Sequence, residues 1–108
     1  MIKKYTFTDE DFKVMLQSGG WKIGFLRYSE RFLTFNQLER HLETDEVFVL
    51  LDGNAVLYTE SESCTMKKCT LYNIPKGTWH HITVSEGATV LVVENADTGK
   101  ENTEKKCI

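Results

Sequence analysis

E-R-H-L-E-T-D-E-V-F-V-L-L-D-G, residues Glu39 to Gly53, is the stretch on which the reading of the fold turns. Glu39 and His41 stand two apart, Glu46 follows, and an unbroken apolar run from Val47 to Leu51 comes next. Successive side chains of a strand point to opposite faces, so Glu39 and His41 face the same way. The apolar run predicts a buried strand, and Asp52-Gly53-Asn54 after it is a hairpin signal because these residues tolerate positive backbone dihedrals. A second stretch, I-P-K-G-T-W-H-H-I from Ile74 to Ile82, sets a proline, a glycine and a histidine pair at the entry to another strand. Alternation there puts His80 inward, on the face of Ile82 and Val84, and His81 outward, with Thr83 and Ser85.

Outward from these two stretches the pattern stays that of short strands. Tyr5 and Phe7 alternate as in a short edge strand. Thr8 and the acidic residues after it precede Phe12, Met15 and Leu16 at helical spacing, which predicts one short N-terminal helix ended by Ser18-Gly19-Gly20. W-K-I-G-F-L-R-Y, from Trp21, is apolar on both faces, as in a strand covered on both sides. Strands are also expected in N-A-V-L-Y-T, C-T-L-Y-N-I, H-H-I-T-V and finally T-V-L-V-V-E-N, with a polar loop or hairpin tip from Glu60 to Lys68. Glu43, Thr44 and Asp45 read as a solvated turn, and the aromatics mostly as core. Many short strands with turn signals between them predict an all-β sandwich or barrel. The expectation is one domain over residues 1–96, its barrel at about 21–95, and a frayed or loosely docked polar tail over 97–108.

Composition narrows the partners. A net charge of -3 without a basic stripe argues against nucleic acid, whose phosphates need clustered Lys and Arg. No apolar run approaches the roughly 18 residues of a membrane span, and the first residues carry no apolar signal core, so a cytoplasmic protein is expected. Cys64, Cys69 and Cys107 are odd in number and lack C-x-x-C spacing, which predicts ordinary thiols.

His41, Glu46 and His80 form a 2-His-1-carboxylate set. That set is typical of non-haem iron and equally suits manganese, nickel, cobalt or zinc. Glu39 is placed to be a fourth metal ligand or a nearby base. Without a cation, Glu39 and Glu46 would point two carboxylates into one partly apolar cavity, where desolvation and repulsion raise at least one pKa, unless Arg27, Arg31 or Arg40 lies beside them.

In these residues the chain resembles the cupin family, whose motifs run G-x5-H-x-H-x3,4-E-x6-G and G-x5-P-x-G-x2-H-x3-N. The second histidine, glutamate and closing glycine of the first motif fall on His41, Glu46 and Gly53, and the proline, glycine and histidine of the second on Pro75, Gly77 and His80. Glu39 replaces the first histidine, Leu33 and Cys69 replace the two opening glycines, and Val84 replaces the closing asparagine. The exchange at Glu39 substitutes an anionic oxygen for a neutral nitrogen and favours a harder metal. The resemblance implies a double-stranded β-helix, the cupin jelly-roll barrel, with a divalent metal in its mouth and commonly a homodimer. It leads to the expectation of a metal-binding protein that acts on or binds a small polar molecule, a sugar derivative or an organic acid, with isomerase, lyase or dioxygenase chemistry in scope. The alternatives are a non-catalytic module that binds a small ligand and a metal-free structural barrel.

Overall fold

Strands β4 (Glu46–Asp52), β8 (His80–Val84) and β9 (Thr89–Asn95) show how this sequence builds its interior. Their inward rows run Leu50–Phe48–Glu46, Val84–Ile82–His80 and Val90–Val92–Glu94, apolar at one end and titratable at the other, and all of these residues are buried. β4 and β9 are antiparallel neighbours in which Leu50 faces Val90, Phe48 faces Val92 and Glu46 faces Glu94. The apolar ends meet as a core and the titratable ends gather in one place. The barrel therefore has a dry half and a polar mouth.

The computed structural model describes residues 1–108. Besides those three strands it contains β1 (Phe12–Ser18), β2 (Trp21–Arg27), β3 (Gln37–His41), β5 (Ala55–Thr59), β6 (Ser63–Thr65), β7 (Tyr72–Ile74) and β10 (Thr103–Cys107). Two antiparallel five-stranded sheets result, in the orders β1-β2-β9-β4-β7 and β10-β3-β8-β5-β6. Leu26, Phe48, Leu50, Leu57, Ile82 and Val90 belong to the shared core. Burial at about 25 cal/mol per Å² makes this apolar half the main source of stability. The all-β expectation and the two-sheet barrel are both observed.

Several local expectations need correction. The predicted N-terminal helix is strand β1, hairpinned to β2 through Gly19, and there is no α-helix; the only helical turns are short 3-10 segments at Glu30–Phe32 and Lys100–Asn102. The pairing of β1 slips between Val14 and Leu16, leaving Met15 as a bulged extra residue. One added residue turns a period of two into an apparent helical spacing of Phe12, Met15 and Leu16. Tyr5 and Phe7 form no edge strand; Phe7 is buried and its ring stacks on Phe25 at 5.8 Å. Asp52-Gly53-Asn54 does not close a hairpin, because β4 and β5 lie in different sheets. The turn instead carries the chain across the barrel, and a Cβ on Gly53 (φ 75°) would lie 2.6 Å from the Ala88 Cα.

The tail is also corrected. Residues 103–107 form β10, which pairs with β3 from Thr103 opposite His41 to Cys107 opposite Gln37. Polar composition does not prevent pairing at a sheet edge, where backbone groups supply the bonds and one face is wet. On the outer side, the Trp79 ring lies between Arg40 and Lys106, at 4.5 and 4.4 Å from its centroid, and Arg40 bonds Glu104. These contacts tie β10 down.

Candidate functional site

Glu39 and His41 leave β3 on one face, and antiparallel pairing sets Glu39 opposite His80 of β8. Ligating atoms of Glu39, His41 and His80 come within 4.8 Å of one another, and so do those of His41, Glu46 and Glu94. The four residues expected to act together are thus brought to one place, in a cavity of about 570 Å³. Glu94 is a fifth member that the sequence reading missed. Its signal was present in T-V-L-V-V-E-N, where Val90, Val92 and Glu94 alternate onto the inward face.

Hydrogen bonding fixes the orientation of both imidazoles. His80 Nδ1 is 2.9 Å from the Thr78 carbonyl, which can only accept, so Nδ1 carries a proton. His41 Nδ1 is 2.9 Å from Thr103 Oγ1, and that hydroxyl gives its own proton to the Gly99 carbonyl at 2.7 Å. Thr103 must then accept from His41, so His41 Nδ1 is also protonated. Both Nε2 atoms consequently point inward, at 3.1 Å (His41) and 3.0 Å (His80) from the same oxygen, Glu46 Oε1. Each Nε2 either presents a lone pair to a cation or carries a second proton that Glu46 accepts.

The electrostatics follow from this crowding. Burial disfavours the cationic form of His41 and of His80, but the adjacent Glu46 carboxylate outweighs it and raises both pKa values. Burial likewise opposes ionisation of Glu46, yet its bonds to the two histidines prevail and hold it down at about 2. Glu94 is pushed up to about 7, first by burial and then by Glu46 beside it, with Lys22 opposing. Two inward carboxylates do conflict here, as expected, but the pair is Glu46 with Glu94 rather than with Glu39. The cation beside Glu94 is Lys22, at 3.9 Å, rather than an arginine; Arg31 is held by Asp11 and Arg40 by Glu104.

His81 was expected at the surface and is buried. Its Nε2 donates to the Thr34 carbonyl at 2.9 Å, and its ring stacks with Phe35 at 5.8 Å. Phe35 also covers Tyr58, the cross-strand neighbour of His81. A loop laid over the outer face of the sheet is invisible to strand alternation. Burial pushes the His81 pKa down, only partly opposed by the Thr34 carbonyl. Thr44, expected in a solvated turn, is buried with its hydroxyl 2.7 Å from that of Thr98.

No family model matches the chain, and no curated protein sequence matches it. Solved structures do. A cupin-2 domain protein from Shewanella frigidimarina superposes with a TM-score of 0.66 at 20% identity, over 82% of this chain and 84% of its own. Pac13 from Streptomyces, described as a unique nucleoside dehydratase, reaches 0.73 at 13% identity over 100% and 93%, and a variant of it is described with uridine. KdgF from Halomonas sp. reaches 0.65 at 11% identity over 92% and 91%. Their shared architecture matches the two antiparallel sheets described above, at identities that speak for the fold alone. The chain therefore has the fold of a small cupin.

Proposed function

We propose that this protein is a metal-binding cupin that acts on, or binds, a small polar molecule at a divalent ion held in the barrel mouth. The observation that carries the reading is the pair of imidazoles whose Nδ1 protons are tied outward, to Thr78 and Thr103, leaving both Nε2 atoms converging on Glu46. Histidine ligands of metals characteristically donate their other ring N–H to such a partner. The spacing also fits. Adjacent donors bound at about 2.1 Å lie about 3 Å apart around an octahedral ion.

His41, His80 and Glu46 would hold the ion, with Glu39 as a fourth ligand or a base. A mixed nitrogen and oxygen set suits iron, manganese, nickel, cobalt or zinc. Such an ion polarises a carbonyl or hydroxyl, or activates oxygen if it is iron. Glu94, raised to about 7, can hold or release a proton near neutrality beside the same cluster. Isomerase, lyase and dioxygenase chemistry are all compatible with these groups; the description of Pac13 as a dehydratase and its association with uridine support the small polar substrate. A homodimer is the assembly that the resemblance implies, and light scattering on the purified protein tests it.

A second reading is favoured by one observation. Every buried side-chain polar atom has a hydrogen-bond partner, so the cluster can also be satisfied by protons alone. The barrel would then bind a small ligand without metal. Elemental analysis of protein purified without a chelating column decides between them. Near-stoichiometric metal in the wild type, lost in His41→Ala and His80→Ala, is the expected result, and loss in Glu39→Gln would make Glu39 a ligand. Absence of metal after reconstitution under reducing conditions would refute the proposal.

A further inference from the structure

The cavity has two unlike walls and a rim whose charge opposes that of the molecule. One wall, from the β1-β2-β9-β4 side, bears the apolar Phe12, Val14, Leu26, Phe48 and Val92, with Lys22, Glu46 and Glu94 at its polar end. The other carries Glu39, His41 and His80. Lys105 is the cross-strand neighbour of Glu39, and Thr103 that of His41, so β10 delivers Lys105 to the cavity beside the cluster. Lys100, in the 3-10 turn before β10, also lines the cavity.

Neither ammonium group is within 4.0 Å of a carboxylate, whereas Lys13, Lys22, Lys68 and Lys106 each have a carboxylate partner. Inside the cavity Glu46 is engaged by two imidazoles, and Glu94 faces Lys22. When Glu39, Glu46 and the two neutral histidines surround a divalent ion, their charges cancel. Lys100 and Lys105 are then left over, at the mouth of a concave site in a protein of net charge -3. Unpaired cations at a low-dielectric cleft concentrate anions there.

We propose that this mouth binds a small organic anion, with its carboxylate or phosphate oxygens on Lys100 and Lys105 and its body between the apolar wall and the histidine cluster. A cavity of about 570 Å³ suits a molecule of this kind. The inference deepens the proposed function and rests on it for the polar end of the ligand, but the lysines act whether or not an ion is held.

The test uses three probes of matched shape, benzoate, phenyl phosphate and neutral benzamide, titrated into metal-loaded and chelator-treated protein and followed by backbone amide NMR. Wild type is compared with Lys100→Gln/Lys105→Gln, and metal content is measured on the same samples. At least one anion should bind roughly tenfold more tightly than benzamide, a gap that narrows with salt and disappears in the double variant. Which anion leads identifies the oxygen group. Equal binding of benzamide, an anion preference that survives in the double variant, or no shift of cavity amides by either anion up to tens of millimolar would overturn the proposal. Lysine-dependent anion preference in protein that never takes up metal would remove the proposed ion and leave the anion site standing; metal without anion preference would do the reverse.

Discussion

Thr103→Val is the most discriminating perturbation available, because it removes one hydroxyl from the least expected part of the site. Valine keeps the branched shape and strand preference of threonine, so β10 should remain paired with β3. What is lost is the acceptor for His41 Nδ1 at 2.9 Å and the donor to the Gly99 carbonyl at 2.7 Å. His41 is only 8% exposed, so water cannot freely replace the bond. Leaving a buried group unpaired costs about 1–3 kcal/mol. In a chain of this size each 1 kcal/mol corresponds to a fall in Tm of about 4–8 °C. Loss of the partner that orients a histidine ligand weakens metal binding about 10–100-fold. Competition against a chromophoric chelator measures the affinity, and thermal denaturation of the metal-free protein measures the stability. Thr103→Ser, which keeps the hydroxyl, should stay within a few-fold of wild type. Wild-type affinity in the valine variant, or equal losses in serine and valine, would refute the claim that this hydroxyl sets the His41 tautomer.

Other consequences follow from the charges and the backbone. Both histidines have raised pKa values in the metal-free protein and must lose their Nε2 protons to bind an ion. Metal affinity should therefore fall as pH drops below the range of these histidines, and calorimetry at pH 6 in buffers of different ionisation enthalpy should reveal proton release; identical heats in all buffers would contradict it. In the same metal-free protein the two histidines contribute stability that is present below about pH 6.5 and is lost as pH rises through their folded values. Glu94 behaves in the same sense: raised from 4.5 to about 7, it is tolerated when protonated and opposes folding once ionised beside Glu46. Glu94→Gln should thus leave stability at about pH 4 nearly unchanged and increase it at pH 8 by on the order of 1–3 kcal/mol, with denaturant melts at the two pH values as the check. Cys69 has φ 59°, a left-handed conformation that suits glycine. Cys69→Gly should stabilise the protein by about 0.5–1 kcal/mol, and an unchanged or lowered denaturation midpoint would count against strain there.

Much of the site was written in local spacing. Glu39 with His41, and His80 with Ile82, needed only the period of two, and the motif positions from His41 to Gly53 placed Glu46 beside them. The opening glycine of the second motif shows the same logic by its absence, since Cys69 occupies the left-handed position that glycine would favour. Errors arose where period or composition was a poor proxy for pairing. A single bulge at Met15 imitated a helix, and a loop over the outer sheet face buried His81. Polar β10 looked like a tail because an edge strand is held by backbone bonds and exposed side chains.

The sequence by itself determined the all-β class, the inward histidines and two of the three carboxylates around them, because alternation within a strand is a local property of the backbone. Only the tertiary structure decided what those groups meet. The pairing of β4 with β9 sets Glu94 against Glu46, and the pairing of β10 with β3 sets Thr103 against His41 and Lys105 beside Glu39. These partners lie tens of residues apart in the chain. Their proximity depends on which strands the core draws together, and that follows from the burial of many side chains at once.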